Sequence, residues 1–257
     1  MKLKSVEEIE ILKVGGKRHA FILNKLSEMV APGLSTFKLE EEARRFIEEG
    51  GDKASFLGYR PEGASRDFPA ALCVSINEEI VHGIPNETER FLKEGDIVTL
   101  DLGITHGGLI TDSAVTVPVG EVSEEVKKLL KVTKEALVRG IEQAKPGNHI
   151  GDIGHAISEV VLKSGFSMAR GLAGHGVGYD VHEDPFVPNY GTPGEGEELV
   201  PGLVIAIEPM VNIGKSAIKV LKDGYTIRTG DGSLSAHFEH TIAITEKGNT
   251  ILTAYRD

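Results

Sequence analysis

Apolar positions recur at roughly helical spacing from Ile9 through Val14, Phe21, Ile22 and Leu26, which predicts a helix from Ser5 to about Val30. Ser5 followed by Glu7 and Glu8 supplies the start signal, and Pro32-Gly33 stops it. A second helix reads from Ser35 or Thr36 through KLEEEARRFIEE to Gly50-Gly51. The period then shortens. The runs 70–76, 96–104 and 112–119 are apolar, bounded by turn residues, and predict strands. The order repeats beyond residue 120. An amphipathic helix spans 123–144, closed by Pro146 and Gly147, and another spans 150–165. Strand-like runs follow around 202–210, 224–230 and 238–245.

Short local matches join the two parts. Ala31-Pro32-Gly33 aligns with Lys145-Pro146-Gly147, VHGIP at 81–85 with VHEDP at 181–185, and GDIVTLD at 95–101 with GLVIAIE at 202–208. The offsets drift (114, 100 and 107), as loop insertions produce. The pattern predicts a mixed α/β chain forming one domain over 1–257, with related halves of about 1–120 and 121–257. The last match sets Asp101 opposite Glu208 across a pseudo-twofold axis.

Those two acids, with Glu239, interrupt the apolar pattern. Asp101 ends IVTLD, Glu208 ends LVIAIE, and Glu239 precedes TIAI. A carboxylate in such surroundings pays for burial unless it pairs, protonates or binds a metal. Three in one chain ask for a shared cause, and bound cations are the most economical one. Asp112 joins them, because a hairpin turning at Gly107-Gly108 brings it near Asp101. The Gly-rich segment 171–185 carries His175 and His182, and His82 lies in the matching VHGIP segment. His237 and His240 flank Glu239 and are placed to orient it. His19, His106, His149 and His155 have no comparable context and receive no role.

Composition narrows the chemistry. A net charge of −11 over 257 residues gives no support to nucleic-acid binding, which calls for clustered Lys and Arg. Cys73 is the only cysteine, which excludes an intrachain disulfide and argues against a thiolate zinc site. No signal-peptide core and no run of 18 apolar residues is present, so a cytoplasmic protein without membrane contact is expected. The chain contains no GxSxG, Walker A or HExxH sequence. Four clustered carboxylates carry −4, and two divalent ions balance them. Such a site activates water and polarises a carbonyl, with neutral histidines as donors to a substrate amide. An oxygen-rich set with one histidine admits Mn, Fe, Co or Zn.

Five ordered segments resemble the type I methionine aminopeptidases of the pita-bread fold, over essentially the whole chain. They are SINEEIVHGIP (75–85), GDIVTLDLG with TDSA (95–114), GHGVGYDVHEDP (174–185), PGLVIAIEPMV (201–211) and SLSAHFEHTIAIT (233–245). The resemblance implies two pseudo-twofold halves with antiparallel sheet covered by helices. It implies that Asp101 binds one metal and His175 the other, that Asp112 and Glu239 bridge them, and that Glu208 is both ligand and general base. His82 would contact the scissile amide nitrogen and His182 the carbonyl oxygen. Phe56, Tyr59, Phe68, Cys73, Val181 and Tyr225 would line a methionine pocket. Relatives often carry Phe at the position of Val181 and Trp at that of Tyr225, and the segment RPEGASRDFP before Cys73 is longer than in familiar relatives. Asn77 and Ser235 resemble positions near a monovalent cation in some members.

The implied substrate is a nascent chain with N-terminal Met and a small second residue. The implied enzyme is a monomer working in the cytoplasm, with ribosome association. Prolidases and proline-specific aminopeptidases share the ligands but carry an N-terminal domain for which the stretch before residue 70 leaves no room. Type II enzymes carry an insertion of several dozen residues, whereas thirty residues separate Glu208 from Glu239. A non-catalytic peptide-binding relative would lose ligands, and here every ligand position is acidic or His.

Overall fold

The computed structural model describes residues 1–254. Up to residue 120 the order is α1 (Val6–Met29), α2 (Thr36–Glu49), β1 (Lys53–Ala54), β2 (Leu72–Ile76), β3 (Glu79–Val81), β4 (Ile97–His106) and β5 (Leu109–Pro118). Two helices follow, α3 (Glu124–Gln143) and α4 (Ile150–Ser164). Next come β6 (Ser167–Met168), β7 (Ala173–Gly176), β8 (Glu183–Pro188), β9 (Val204–Ile207) and β10 (Met210–Asn212). The last are β11 (Ile218–Val220), β12 (Ile227–Thr229), β13 (Ser235–His237), β14 (His240–Thr245) and β15 (Gly248–Ile251).

Ser5 caps α1 through a reciprocal pair. Its hydroxyl accepts from the Glu8 N–H at 3.2 Å, and its own N–H donates to the Glu8 carboxylate at 2.7 Å. The buried face of α1 differs from the one expected. Val14 and Phe21 are exposed, while Leu12, Gly15, Gly16, Ile22, Leu23 and Leu26 face inward. Gly16 is the reason the helix sits so close. A Cβ there would lie 2.1 Å from the Leu252 carbonyl oxygen.

Each helix pair covers its own antiparallel sheet. Ile22, Leu26, Leu39 and Ile47 of α1 and α2 pack on Leu72, Leu100 and their neighbours in β2 and β4. Leu129, Ala136, Ile153 and Ile157 of α3 and α4 pack on Ile205, Ile207, Ile242 and Ile244 in β9 and β14. The first sheet pairs β1, β4 and β2, with β5 on β4; the second runs β15-β14-β9-β7-β8. The β4–β5 hairpin turns where sequence placed it. His106 pairs with Leu109, and Gly107 and Gly108 have φ of 58° and 86°, the positive values a two-residue type I′ turn requires at both positions.

The aligned turns share local geometry. Gly33 and Gly147 have φ of 87° and 85°, and their N–H groups donate to Leu92 and Leu199 carbonyls. Isolated bridges follow each, Ser35 to Phe91 and His149 to Glu198.

Side-chain hydroxyls join β5 to the segment around β13 and β14. Thr241 Oγ1 accepts from the Asp112 N–H at 2.9 Å and donates to the Asp112 carbonyl at 2.6 Å. Thr116 Oγ1 treats His237 the same way, at 2.8 Å in both directions. Ser113 donates to the Glu239 carbonyl at 2.6 Å. The two sheets therefore meet along a polar seam rather than a greasy one, and the acids lie on it.

Candidate active site

Asp101 pairs with Ala114 in the β4–β5 register, and Asp112 with Gly103. Residues opposite each other share a face, as do residues two apart on one strand, so Asp101 and Asp112 are diagonal neighbours on one face. Glu239 enters from across the seam, its N–H donating to the Ala114 carbonyl at 3.0 Å. Glu208 immediately follows β9, and its backbone carbonyl accepts from Asn189 Nδ2 at 3.0 Å. His175 lies on β7. All four carboxylate residues are buried, between 2% and 8% exposed.

The polar atoms converge. His175 Nε2 lies 3.5 Å from Glu208 Oε1 and 3.9 Å from Asp112 Oδ2. His237 Nε2 lies 3.4 Å from Glu208 Oε2 and 3.8 Å from Glu239 Oε2. Ligand atoms of Asp112, His175 and Glu239 lie within 4.8 Å of one another, as do those of Glu208, His237 and Glu239. His175 Nδ1 is 2.9 Å from the Gly176 carbonyl. That oxygen only accepts, so Nδ1 carries the proton and the lone pair of Nε2 faces the acids, which is how a ligating histidine is held.

Electrostatics show what the cluster lacks. Burial pushes the Asp101 carboxyl up to about 7, and burial with mutual repulsion pushes Asp112 and Glu239 well above the usual range. Burial does the same to Glu208. The histidines move the other way, His82 and His237 to about 4 and His175 to about 3, chiefly by desolvation. Asp112 Oδ1 is buried without a hydrogen bond. Repelling carboxylates beside neutral imidazoles, one oxygen unpartnered, form a donor set that fits divalent cations.

Two cavities meet at this cluster. A small one of about 80 Å³ is lined by Phe56, Tyr59, Phe68, Cys73, Val181 and Tyr225 and reaches Asp101, Asp112 and Glu239. Phe68 stands edge-on to Phe56 and to Tyr225, with centroids 6.5 and 5.1 Å apart, so the long segment before Cys73 still delivers Phe68 to the wall. A larger cleft of about 590 Å³ adjoins it, and His82, His175, His182 and Glu208 border both. His82 holds φ of 59°, unfavourable for a non-glycine residue and a mark of sites where geometry is imposed. The His182 ring lies 4.4 Å from that of His175, and its Nδ1 lies 2.8 Å from the Tyr59 hydroxyl.

The sequence profile of metallopeptidase family M24 matches residues 10–246. The chain belongs to this family. Its members among curated proteins include methionine aminopeptidase 1 of Bacillus subtilis, 48% identical over 250 residues that cover 97% of this chain and 98% of that protein. The methionine aminopeptidase of Aquifex aeolicus is also 48% identical, covering 98% of both chains. The crystal structure of methionine aminopeptidase from Thermotoga maritima superposes with a TM-score of 0.93 at 45% identity, covering 98% of this chain and 99% of that one. The prolidase of Pyrococcus furiosus shares the fold at a TM-score of 0.77 and 22% identity, but this chain covers only 66% of it. The M24 architecture is the pita-bread fold, and the family assignment makes this chain a metallopeptidase that uses divalent metal.

The seven sequence-named polar residues of the site and the six pocket residues all line these two cavities. His237, expected beside Glu239, does sit against it and also lies against Glu208, a contact that the spacing does not announce. His240, its counterpart, turns away to Thr253 Oγ1 at 3.1 Å. The contact of Tyr59 with His182 spans 123 residues and had no local signal.

Proposed function

We propose that this chain removes methionine from the N-terminus of peptides whose second residue is small, with two divalent ions held by Asp101, Asp112, His175, Glu208 and Glu239. The observation that carries the reading is the position of the cluster, where a small, largely apolar cavity adjoins a much larger cleft. A cavity of about 80 Å³ has room for one side chain and not for a continuing chain, which favours cleavage at the first peptide bond. Its aromatic and apolar lining suits a thioether side chain.

Bound ions supply Lewis acidity, polarising the scissile carbonyl and acidifying water. Glu208 faces both cavities and takes the proton of the attacking water, then returns it to the leaving amine. His82 and His182 are held neutral by desolvation; His82 accepts the N–H of the scissile amide and His182 donates to the developing oxyanion. Tyr59 fixes the His182 ring through Nδ1. The Asn77 carbonyl accepts from the Ser235 N–H at 3.0 Å, and this junction is our candidate for a monovalent cation. The unit is a single domain of two related halves, supported by the matched turns after α1 and α3. Nascent chains as substrate place it in the cytoplasm, and no helix among the described residues is long and apolar enough to cross a membrane.

A peptide panel assayed with Mn, Fe, Co and Zn tests the reading. Met-Ala- peptides should release methionine, with Met-Lys- peptides resistant. Preferential cleavage of Xaa-Pro- peptides would replace this reading with a proline-specific one.

A further inference from the structure

The open cleft is far larger than the second residue of a substrate needs, and the reaction above leaves its outer part unused. Leu172, Ala173, Met210 and Phe186 give it an apolar lining, and Phe186 is 60% exposed. Met1 and Lys2 form another part of its wall.

That wall is held in place from below. The Lys4 N–H donates to the Gly202 carbonyl at 2.8 Å. Lys4 Nζ pairs with Glu183 Oε2 at 2.6 Å, with both side chains at most 2% exposed, and donates to the Lys2 carbonyl at 3.1 Å. The other Glu183 oxygen accepts the N–H groups of Tyr179 and Asp180. Lys2 Nζ reaches Asp180 Oδ2 at 2.7 Å. A buried ion pair contributes little net stability, but removing one partner is costly, so its effect is to fix geometry. Here it locks residues 1–4 onto the turn that carries Val181 and His182.

We infer that the outer cleft is a subsite for the third and fourth residues of an extended peptide, seating apolar side chains against Phe186 and Leu172, with Met1 and Lys2, anchored through Lys4, on its wall. The inference rests on the aminopeptidase reading. An extended chain advances about 3.3–3.6 Å per residue, which carries those residues roughly 5–9 Å past the scissile bond and toward this space. The cleft's Lys2 and Asp180 neutralise each other, as do Lys4 and Glu183. Asp184 also lines it, and its charge disfavours acidic residues in the same positions.

The test compares kcat/KM for Met-Ala, Met-Ala-Leu-Phe and Met-Ala-Asp-Asp with wild-type enzyme, Phe186→Ala and Phe186→Tyr. The apolar tetrapeptide should exceed both other substrates by about tenfold, mainly through KM, as partial burial of one or two side chains gives. Phe186→Ala should cut that ratio several-fold and Phe186→Tyr should restore it. Lys4→Met, which frees the wall, should cut it as well. A ratio near one in wild type, or one unchanged by Phe186→Ala, overturns the subsite while methionine release continues. Failure to cleave every methionyl peptide overturns the aminopeptidase reading instead, and the subsite with it.

Discussion

At the scale of single residues, the cluster is defined by four buried carboxylates that must either bind cations or take up protons. Asp101→Asn or Glu239→Gln removes one negative charge and one donor oxygen while keeping the side-chain shape. Both variants should lose bound metal and fall about a hundredfold or more in kcat/KM together, measured by elemental analysis and steady-state kinetics. Near-normal turnover in either would remove that residue from the ligand set. Glu208→Gln should differ, lowering kcat by roughly a hundredfold or more with a smaller change in KM, because the lost proton transfer belongs to the transition state. His19 makes a separate case away from the cleft. It is fully buried in α1, with Nδ1 3.1 Å from Thr111 Oγ1, and desolvation lowers it from 6.5 to about 3; Asp52 and His240 are the titratable groups acting on it. Above pH 6.5 neither folded nor unfolded chain protonates it. As pH falls from 6.5 toward 3 only the unfolded chain does, so stability drops by up to about 1.4 kcal/mol per pH unit from this one group. His19→Gln should flatten that slope in urea titrations at pH 7, 5 and 4. An unchanged slope would assign acid sensitivity elsewhere.

At the scale of elements, the hydroxyl seam decides whether acids on separate strands meet. Thr241→Val leaves the Asp112 N–H and carbonyl without partners in a buried setting, a loss of about 1–3 kcal/mol. A lower Tm should accompany weaker metal binding, by about 10–100-fold, because the strand carrying Asp112 loses its tie at that residue to the strand after Glu239. Thr241→Ser keeps the hydroxyl and should retain both; equal loss in the two variants would point to the methyl group's packing instead. Nothing local announces this seam, since Thr241 and Asp112 are 129 residues apart. The same division runs through the whole reading. Long periodic elements, α2, α3, α4 and the β4–β5 hairpin, were legible because period and turn chemistry act within one segment. The short strands β3, β7 and β8 were not. β3 is only three residues long, β8 carries two acids and two prolines, and β7, half glycine, exists because β9 and β8 flank it. His82 and His175 were therefore found by chemistry and family resemblance, not by secondary structure. On α1 the helix was legible and its buried face was not, because Gly15 and Gly16 make the close contact that apolar counting assigns to larger side chains.

At the scale of the molecule, the proposed ligands are split between the two helix-covered sheets. Asp101 and Asp112 come from the sheet under α1 and α2, and His175, Glu208 and Glu239 from or beside the sheet under α3 and α4. Buried acids inside apolar runs were visible in sequence because their cost is local; that they come from opposite sides of one seam required the alignment of Asp101 with Glu208. Cations held there tie the two sheets together, so metal should stabilise the whole fold and not merely complete a site. With free metal at a hundred times its Kd, the linkage is worth about 2.7 kcal/mol, or roughly 5–10 °C in Tm for a chain of this size. Calorimetry with a chelator should show a fall of that order, reversed by adding back Mn or Co. Asp101→Asn should start from a lower Tm and respond less to both treatments. If the chelator abolishes activity but leaves Tm unmoved in the wild-type protein, metal binds without bracing the seam. If neither changes, the four buried carboxylates are stabilised by protonation, and their assignment as ligands fails.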